Sequence, residues 1–327
     1  MPVATPADDL IHTPEPHAGW RESYAFEFYD ERNGLGMWHS IGKKPFKGYS
    51  GCTVGIWGAD LLTTVGRDRF QRHTEDHLVQ GLRYRCVRPL EEWQLTFEGE
   101  MIRHPRTLRL DPSALSPGEH AGLQRVAVSF ELTCTANVPA YRYHERKEWS
   151  PIFTGHLDAT GRTRGSLTID GRRHEIDGWG IRDRSWGTRD WTWPLLWRFA
   201  GVATPDFNMV FWHAKADGGL ETTDGFVQIG GERAEVVGYS EEVQADPHPE
   251  KPQPRTFAFS LRLSNGKVVS LSGEVLQSMP VVFAKGYGDT AVRSWNDRSL
   301  VRFRLPDGSR AHGSVEFAQR LTDPRTR

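Results

Sequence analysis

Residues 156–191 read HLDATGRTRGSLTIDGRRHEIDGWGIRDRSWGTRDW, and this stretch predicts the fold of the chain. Asp170-Gly171 stands near its middle, and Asp-Gly supplies the positive φ that a two-residue β-hairpin requires. The same kind of signal recurs at Asn265-Gly266 and Asp307-Gly308, each between alternating apolar and polar residues. Antiparallel hairpins are therefore expected along the chain.

The segments upstream of this stretch have an apolar period of two, which is typical of half-buried strands. Examples are GLRYRCVRP (81–89), WQLTFEG (93–99) and RVAVSFELTC (125–134). Convincing helical patterns are scarce, so an all-β fold with few short helices is predicted. A chain of 327 residues is long enough for two β-barrels or sandwiches in tandem. We predict an N-terminal domain over 1–160 and a C-terminal domain over 161–327.

Composition excludes several classes of function. Lys+Arg 41 against Asp+Glu 42 leaves no basic surplus for nonspecific nucleic-acid binding. No apolar run is long enough for a membrane-spanning helix, and the N-terminus lacks the features of a secretory signal. Cys52, Cys86 and Cys134 are far apart and odd in number, which favours reduced thiols and a cytoplasmic location. No metal-binding or phosphate-binding motif is present, so neither a metal nor a cofactor is expected.

The predicted hairpin also brings ionisable groups together. Residues equally far from the turn face each other, so Asp158 faces Asp183 and His156 faces Ser185. Directly paired side chains lie about 4.5–5.5 Å apart at Cβ. Two carboxylates at that distance do not both ionise easily, and one then has a raised pKa and donates a proton near neutral pH. His156 becomes a diagonal neighbour of Asp183.

Two alternatives remain open at this stage. Gly161 or Gly165 permits a β-bulge that would shift the register. The segments Arg182-Asp183-Arg184 and Arg189-Asp190 also fit a purely structural interpretation, in which salt bridges tie a domain junction together.

The proline-rich arm over residues 1–19 is expected to be either ordered by contact or disordered.

Tryptophan is concentrated in one part of the sequence. The chain has 12 Trp. Half of them fall between residues 179 and 212: Trp179, Trp186, Trp191, Trp193, Trp197 and Trp212. This crowding indicates either one aromatic core or one cavity with aromatic walls.

The string GWGIRDRSWGTRDW (178–191) resembles the mid-chain signature of the carotenoid 1,2-hydratase (hydroxyneurosporene synthase) superfamily. It is more similar still to a bacterial branch of that superfamily with a G-x-RDHSWG-x-RDW motif. WRESYAFEFYD (20–30), LRYRCVRPLEEWQLTFEGE (82–100) and GSLTIDGRRHEIDGWG (165–180) also fit that branch. The resemblance covers most of residues 20–215.

The resemblance implies two tandem lipocalin-like β-barrels that bind hydrophobic small molecules. Characterised relatives include hydratases, cyclases and pericyclases that work without a cofactor. In the hydratases the aspartate of the motif is the proposed acid, which matches Asp183, and an upstream histidine loosely matches His156. This sequence has Arg184 where histidine is usual. A guanidinium is no base but binds carboxylate, phosphate or enolate oxygens. Alternatively, Arg184 points to the other strand face and is structural.

These observations lead to two hypotheses. The first is a cofactor-free lyase or isomerase of hydratase, dehydratase or cyclase type, in which a buried carboxylic acid protonates an apolar terpenoid, steroid or aromatic substrate. The second is a carrier that binds a hydrophobic small molecule without chemistry. For the enzyme, indole faces would stabilise a carbocation. The expected catalytic residues are Asp183, His156 and Asp158. The expected substrate-binding residues are Trp179, Trp186, Trp191, Trp193 and Arg184.

Overall fold

The computed structural model describes residues 2–70, 74–75, 77–105, 109–110, 120–286 and 291–321. It is almost entirely β-structure, and its named strand pairs are antiparallel, which confirms the predicted fold class. The helical elements among the described residues are short: α1 (Pro6–Asp9) and 3₁₀ turns at Pro45–Lys47, Lys147–Trp149 and Asp217–Gly219.

The first part of the chain forms an 11-stranded sheet. Its strands are β1 (Trp20–Asp30), β2 (Leu35–Lys44), β3 (Tyr49–Trp57), β4 (Leu61–Arg69), β5 (His77–Val79), β6 (Leu82–Arg88), β7 (Glu92–His104), β8 (Arg125–Ala136), β9 (Tyr141–Arg142), β10 (Gly155–Ile169) and β11 (Arg172–Thr188). The strand order is β4-β3-β2-β1-β11-β10-β8-β7-β6-β5, with β9 beside β10. A short β4–β7 pairing at residues 61–63 joins the sheet to itself.

The central hairpin has the register that the sequence predicts. β10 and β11 pair without interruption from Gly155 opposite Trp186 to Ile169 opposite Arg172. Asp170 has φ 51° and Gly171 has φ 78°, the positive values of a two-residue turn. The structure therefore confirms that Asp158 faces Asp183, and the bulge that would have shifted this pair does not occur.

The second part of the chain forms a closed barrel of eight strands. They are β12 (Leu196–Ala203), β13 (Phe207–Lys215), β14 (Glu221–Ile229), β15 (Glu232–Asp246), β16 (Gln253–Leu263), β17 (Val268–Lys285), β18 (Val292–Arg304) and β19 (Arg310–Leu321). The two other predicted turns join neighbouring strands here, but with three-residue loops. Leu263 N–H donates to Lys267 O, and Leu305 N–H donates to Ser309 O. Each loop ends on a positive-φ glycine, as such loops prefer.

The chain divides into two compact units at Arg189 and Asp190, and the described residues 109–110 belong to the second. The predicted division between 160 and 161 falls inside β10. Since β10 and β11 pair along their whole length, both strands belong to the first unit. Each unit has its own apolar core. No helix among the described residues is long and apolar enough to span a membrane.

The N-terminal arm is ordered by contact with the first unit. Asp9, at the end of α1, is completely buried and accepts hydrogen bonds from the Leu90 amide, from Trp93 Nε1 and from Arg182. Three of the partners of Asp9 thus come from distant parts of the chain. Of the two possibilities left open for the arm, the ordered one applies to its described residues.

Candidate functional site

Because side chains alternate along β11, residues 182–186 (RDRSW) point to the two faces of the sheet in turn. Arg182 is opposite Phe26 and Arg184 is opposite Tyr24, and both aromatic residues belong to the apolar core of the first unit. Asp183 lies between these arginines in sequence, so its side chain points to the opposite face of the sheet. His156 and Asp158 share that face because they are paired with Ser185 and Asp183.

The three predicted catalytic groups lie together on this face. His156 Nε2 is 3.3 Å from Asp158 Oδ1 and 3.3 Å from Asp183 Oδ1. Asp158 is 0% exposed and His156 is 3% exposed, whereas the Asp183 side chain is 22% exposed. The histidine therefore bridges a buried carboxylate and one that solvent or a ligand reaches. We call His156, Asp158 and Asp183 the triad.

Two aromatic side chains enclose the histidine of the triad. The Tyr143 ring stacks on the His156 ring with centroids 4.4 Å apart and an angle of 22°. Phe153 meets the same ring edge-on at 5.2 Å. The Tyr143 hydroxyl also donates a hydrogen bond to Asp158 Oδ2. Neither Tyr143 nor Phe153 lies in a recognisable sequence motif, and β9, which precedes Tyr143, is too short to show a periodic pattern. The sequence analysis therefore did not identify them.

The surroundings change the pKa of both buried members of the triad. Burial by itself would lower the pKa of His156, but the charges of Asp158 and Asp183 outweigh it and raise the pKa to about 9. Burial raises the pKa of Asp158 to about 6, although His156 and Tyr143 act in the opposite direction. The sequence predicted that one of two facing carboxyls would have a raised pKa, and Asp158 is such a group.

Asp183 has a second set of contacts at the end of β11. Ser185 Oγ donates to Asp183 Oδ1 at 3.4 Å, and Arg189 Nη2 donates to Ser185 Oγ at 2.7 Å. Arg189 Nη1 also donates to the Ile152 carbonyl at 2.9 Å. This chain links Asp183 to a guanidinium through a hydroxyl, and the sequence analysis did not identify it.

The arginines that flank Asp183 bind other carboxylates. Arg182 forms its ion pair with Asp9, and Arg184 forms one with Glu22; all four side chains are at most 4% exposed. Arg184 therefore points away from Asp183, as strand alternation indicates. Both arginines therefore form salt bridges, as the structural interpretation predicts, but on the face of β11 opposite Asp183. Asp183 itself is paired with His156.

The predicted tryptophans lie in different surroundings. Trp186 lies on the face opposite Asp183, where it stacks on His12 at 3.8 Å. Trp179 is half-buried and carries the Arg162 guanidinium at 5.5 Å from its ring centroid. Trp191 belongs to the second unit and packs against Trp197 at 5.2 Å. Trp193, also in the second unit, is half-buried. The difference for Trp186 arises because it is an odd number of residues from Asp183.

The spacing of the triad is short enough for a divalent ion, since its three candidate atoms lie within 4.8 Å of one another. Metal binding requires a neutral imidazole. The two carboxylates that raise the pKa of His156 to about 9 are also oxygen ligands, so a divalent ion and the His156 proton would compete for this position.

The protonated histidine contributes to stability in a defined pH window. Its pKa is about 9 in the folded chain and about 6.5 when unfolded, so its contribution is complete below about pH 6.5 and is lost as the pH rises through 9. The loss amounts to about 3 kcal/mol. We expect chemical denaturation to show this fall between pH 6.5 and 9 in the wild type and a flatter curve in His156→Gln. Parallel curves for the two proteins would contradict the assignment.

A family of domains of unknown function, DUF7064, matches residues 5–321. The chain belongs to this family. No curated protein matches the sequence of this DUF7064 chain. Membership in DUF7064 therefore groups this chain with related sequences and assigns it no reaction.

Solved structures show that this DUF7064 chain has the lipocalin-like fold of several known proteins. A protein from Nitrosomonas europaea with the provisional designation AttH superposes with a TM-score of 0.61 at 9% identity, over 91% of this chain and 92% of that one. CghA, solved with Sch210972, gives 0.58 at 11% identity over 98% and 97%. Kievitone hydratase from Nectria haematococca gives 0.58 at 12% identity over 97% and 93%. At these identities the likeness describes the fold.

Proposed function

We propose that this protein is a cofactor-free enzyme of the lyase or isomerase class that acts on a hydrophobic small molecule by general acid–base catalysis. The observation that carries the proposal is the triad, in which a buried histidine lies 3.3 Å from both a buried and a partly exposed carboxylate. Clustered groups with perturbed pKa values are typical of catalytic sites. The neighbouring structures include one named as a hydratase, which agrees with this class.

The proposed reaction uses Asp183, the exposed member of the triad, as the acid that meets the substrate. His156 gives its proton to the Asp183 carboxylate, and the Asp183 carboxyl group passes this proton to a carbon of a substrate double bond. A C–H bond forms, the substrate becomes a carbocation, Asp183 is again a carboxylate and His156 is neutral. Neutral His156 then accepts a proton, either from water that adds to the cation or from a neighbouring carbon. The first outcome is hydration, and the second is isomerisation or cyclisation.

Asp158 stays negative throughout and stabilises the imidazolium. This explains why a carboxylate sits in a completely buried position beside His156. Burying an isolated charge is costly, whereas a partner of opposite sign and a hydroxyl donor offset much of that cost. The ring faces of Tyr143 and Phe153 keep the imidazole in one orientation.

The finer features of the proposal come from the resemblance of residues 178–191 to the carotenoid 1,2-hydratase superfamily. On that basis we propose a terpenoid, steroid or aromatic substrate and a cytoplasmic enzyme. Among the expected substrate-binding tryptophans, Trp179 is on the same strand face as Asp183, four residues earlier. Its exposed surface is a further place for an apolar group of the ligand.

The direct test is a ligand screen by thermal shift with terpenoids, sterols and aromatic acids, followed by mass spectrometry of each mixture. Wild type and Asp183→Asn are compared, because this change keeps the shape and removes the acid. A compound that the wild type alters and the variant returns intact supports the proposal. A compound that stabilises both proteins and is always recovered unchanged identifies a carrier and overturns it.

A further inference from the structure

We propose that Tyr143 is a positioning residue that gives the two aspartates of the triad different roles. It holds Asp158 as the fixed counter-ion of His156, and it leaves Asp183 as the carboxyl group that exchanges a proton with the substrate. The role of Asp183 in proton exchange rests on the proposed function. The effect of Tyr143 on Asp158 can be tested without a substrate.

Tyr143 contacts the triad in three separate ways. Its hydroxyl donates to Asp158 Oδ2. Its ring stacks on the imidazole of His156 at 4.4 Å. Its backbone N–H donates to the backbone carbonyl of His156 at 3.0 Å. One side chain and its own peptide group therefore set the position of the histidine ring and of one carboxylate together.

The chain around Tyr143 is held firmly in place. β9 pairs with β10 so that Arg142 is opposite Leu157 and Tyr141 is opposite Asp158. Arg142 Nε donates to Asp8 Oδ1 at 3.0 Å, which ties this strand to the N-terminal arm. The Tyr143 side chain is 2% exposed. Such anchoring on both sides gives the hydroxyl little freedom to leave Asp158.

The two aspartates differ in the way this proposal requires. Asp158 is completely buried and accepts from Tyr143 as well as facing His156. Asp183 is 22% exposed, and its contact with Ser185 Oγ is long, at 3.4 Å. A tight donor favours the ionised form of a carboxyl group. Asp158 is thus held as a carboxylate, while Asp183 presents its carboxyl group at an accessible position.

Charged and titratable groups face His156 from several elements. β10 contributes Asp158, and β11 contributes Asp183. Tyr143 follows β9, and Arg189 donates to Ser185 Oγ, which in turn donates to Asp183. Removing the Tyr143 hydroxyl should therefore affect one neighbour first, Asp158, whose pKa it lowers.

The experiment is a pH titration of the histidine rings by NMR on the full-length protein. The signal of His156 is identified by its loss in His156→Gln. In the wild type this ring should report a lower step from Asp158 and an upper step near pH 9 from its own proton. In Tyr143→Phe the lower step should move up by about one pH unit or more, since a hydrogen bond to a charged group is worth at least that much.

Tyr84→Phe is the matched control, because its buried hydroxyl also bonds to a histidine, His39, at 2.6 Å. It should leave the His156 titration unchanged. A folded Tyr143→Phe protein with the wild-type titration overturns the inference. If Tyr143→Phe does not fold, Tyr143→Phe combined with Asp158→Asn decides: recovery of folding supports the inference, and continued failure overturns it.

The two proposals fail separately in these measurements. A shifted lower step in Tyr143→Phe, together with full turnover by Asp183→Asn, would keep the placement of Asp158 and reject the proposed function. An unshifted step with turnover lost in Asp183→Asn would keep the function and reject the role of Tyr143.

Discussion

Asp183→Asn is expected to lower kcat by about 10²–10⁴-fold, the usual contribution of a general acid. Ligand affinity should stay within about twofold, because asparagine keeps the volume and polarity of the side chain. His156 is 3.3 Å from Asp183, so the change removes the group that passes on the proton and leaves its neighbour in place. The measurement is steady-state kinetics with a compound from the ligand screen, beside a binding titration of the same compound.

The double variant provides a sharper version of this test. If Asp183 and His156 move the same proton, Asp183→Asn with His156→Gln should be no slower than the slower single variant, as is found for groups that act as a unit. Asp177→Asn is the control, since it makes the same change on the same strand in a carboxylate that pairs with Arg162. If the fold losses in kcat of the two single variants multiply in the double variant, Asp183 and His156 have independent roles.

Asp9→Ala is expected to cost about 3–5 kcal/mol of unfolding free energy, because it leaves a buried guanidinium without its partner. Arg182 and Asp9 are 4% and 0% exposed. The same change also removes the acceptor for Trp93 Nε1. Urea denaturation at pH 7 measures the effect.

A second substitution separates the lost ion pair from lost packing. Asp9→Ala combined with Arg182→Met should recover a large part of the loss, because an apolar pair replaces the stranded charge. Glu232→Ala is the exposed comparison: its 3.0 Å pair with Lys267 is more than 60% exposed on both sides, so its loss should have little effect on the free energy of unfolding. A double variant as unstable as Asp9→Ala would mean that the charge is not the cause.

The sequence predicted the part of the site that depends on local rules. Asp170-Gly171 determines the turn, the turn determines the register, and the register places Asp158 opposite Asp183 and beside His156. Strand alternation also indicated that Arg184 could point away from Asp183. These inferences need only the geometry of one hairpin, which is a short-range property of the chain.

The partners contributed by distant segments were beyond such rules. Tyr143 follows a two-residue strand and reaches Asp158, and the arm places Asp9 beside Arg182 across 173 positions of sequence. Neither pairing leaves a periodic signal. Trp186 shows the same limit, because crowding in sequence placed it close to Asp183 along the chain, while strand parity puts its side chain on the other face.

The pairing of β1 with β11 has a consequence for the order of folding during synthesis. β1 finds this neighbour only when the ribosome has released residues up to Thr188. Arg182 emerges 173 residues after Asp9, which at 5–20 residues per second is a delay of roughly 9–35 s. During that interval β1 can pair with β2, and Asp9 can accept from Leu90 and Trp93, but neither has its partner on β11. The sheet of the first unit is therefore expected to be completed late, and chaperones that shield the nascent N-terminal segment should raise its yield.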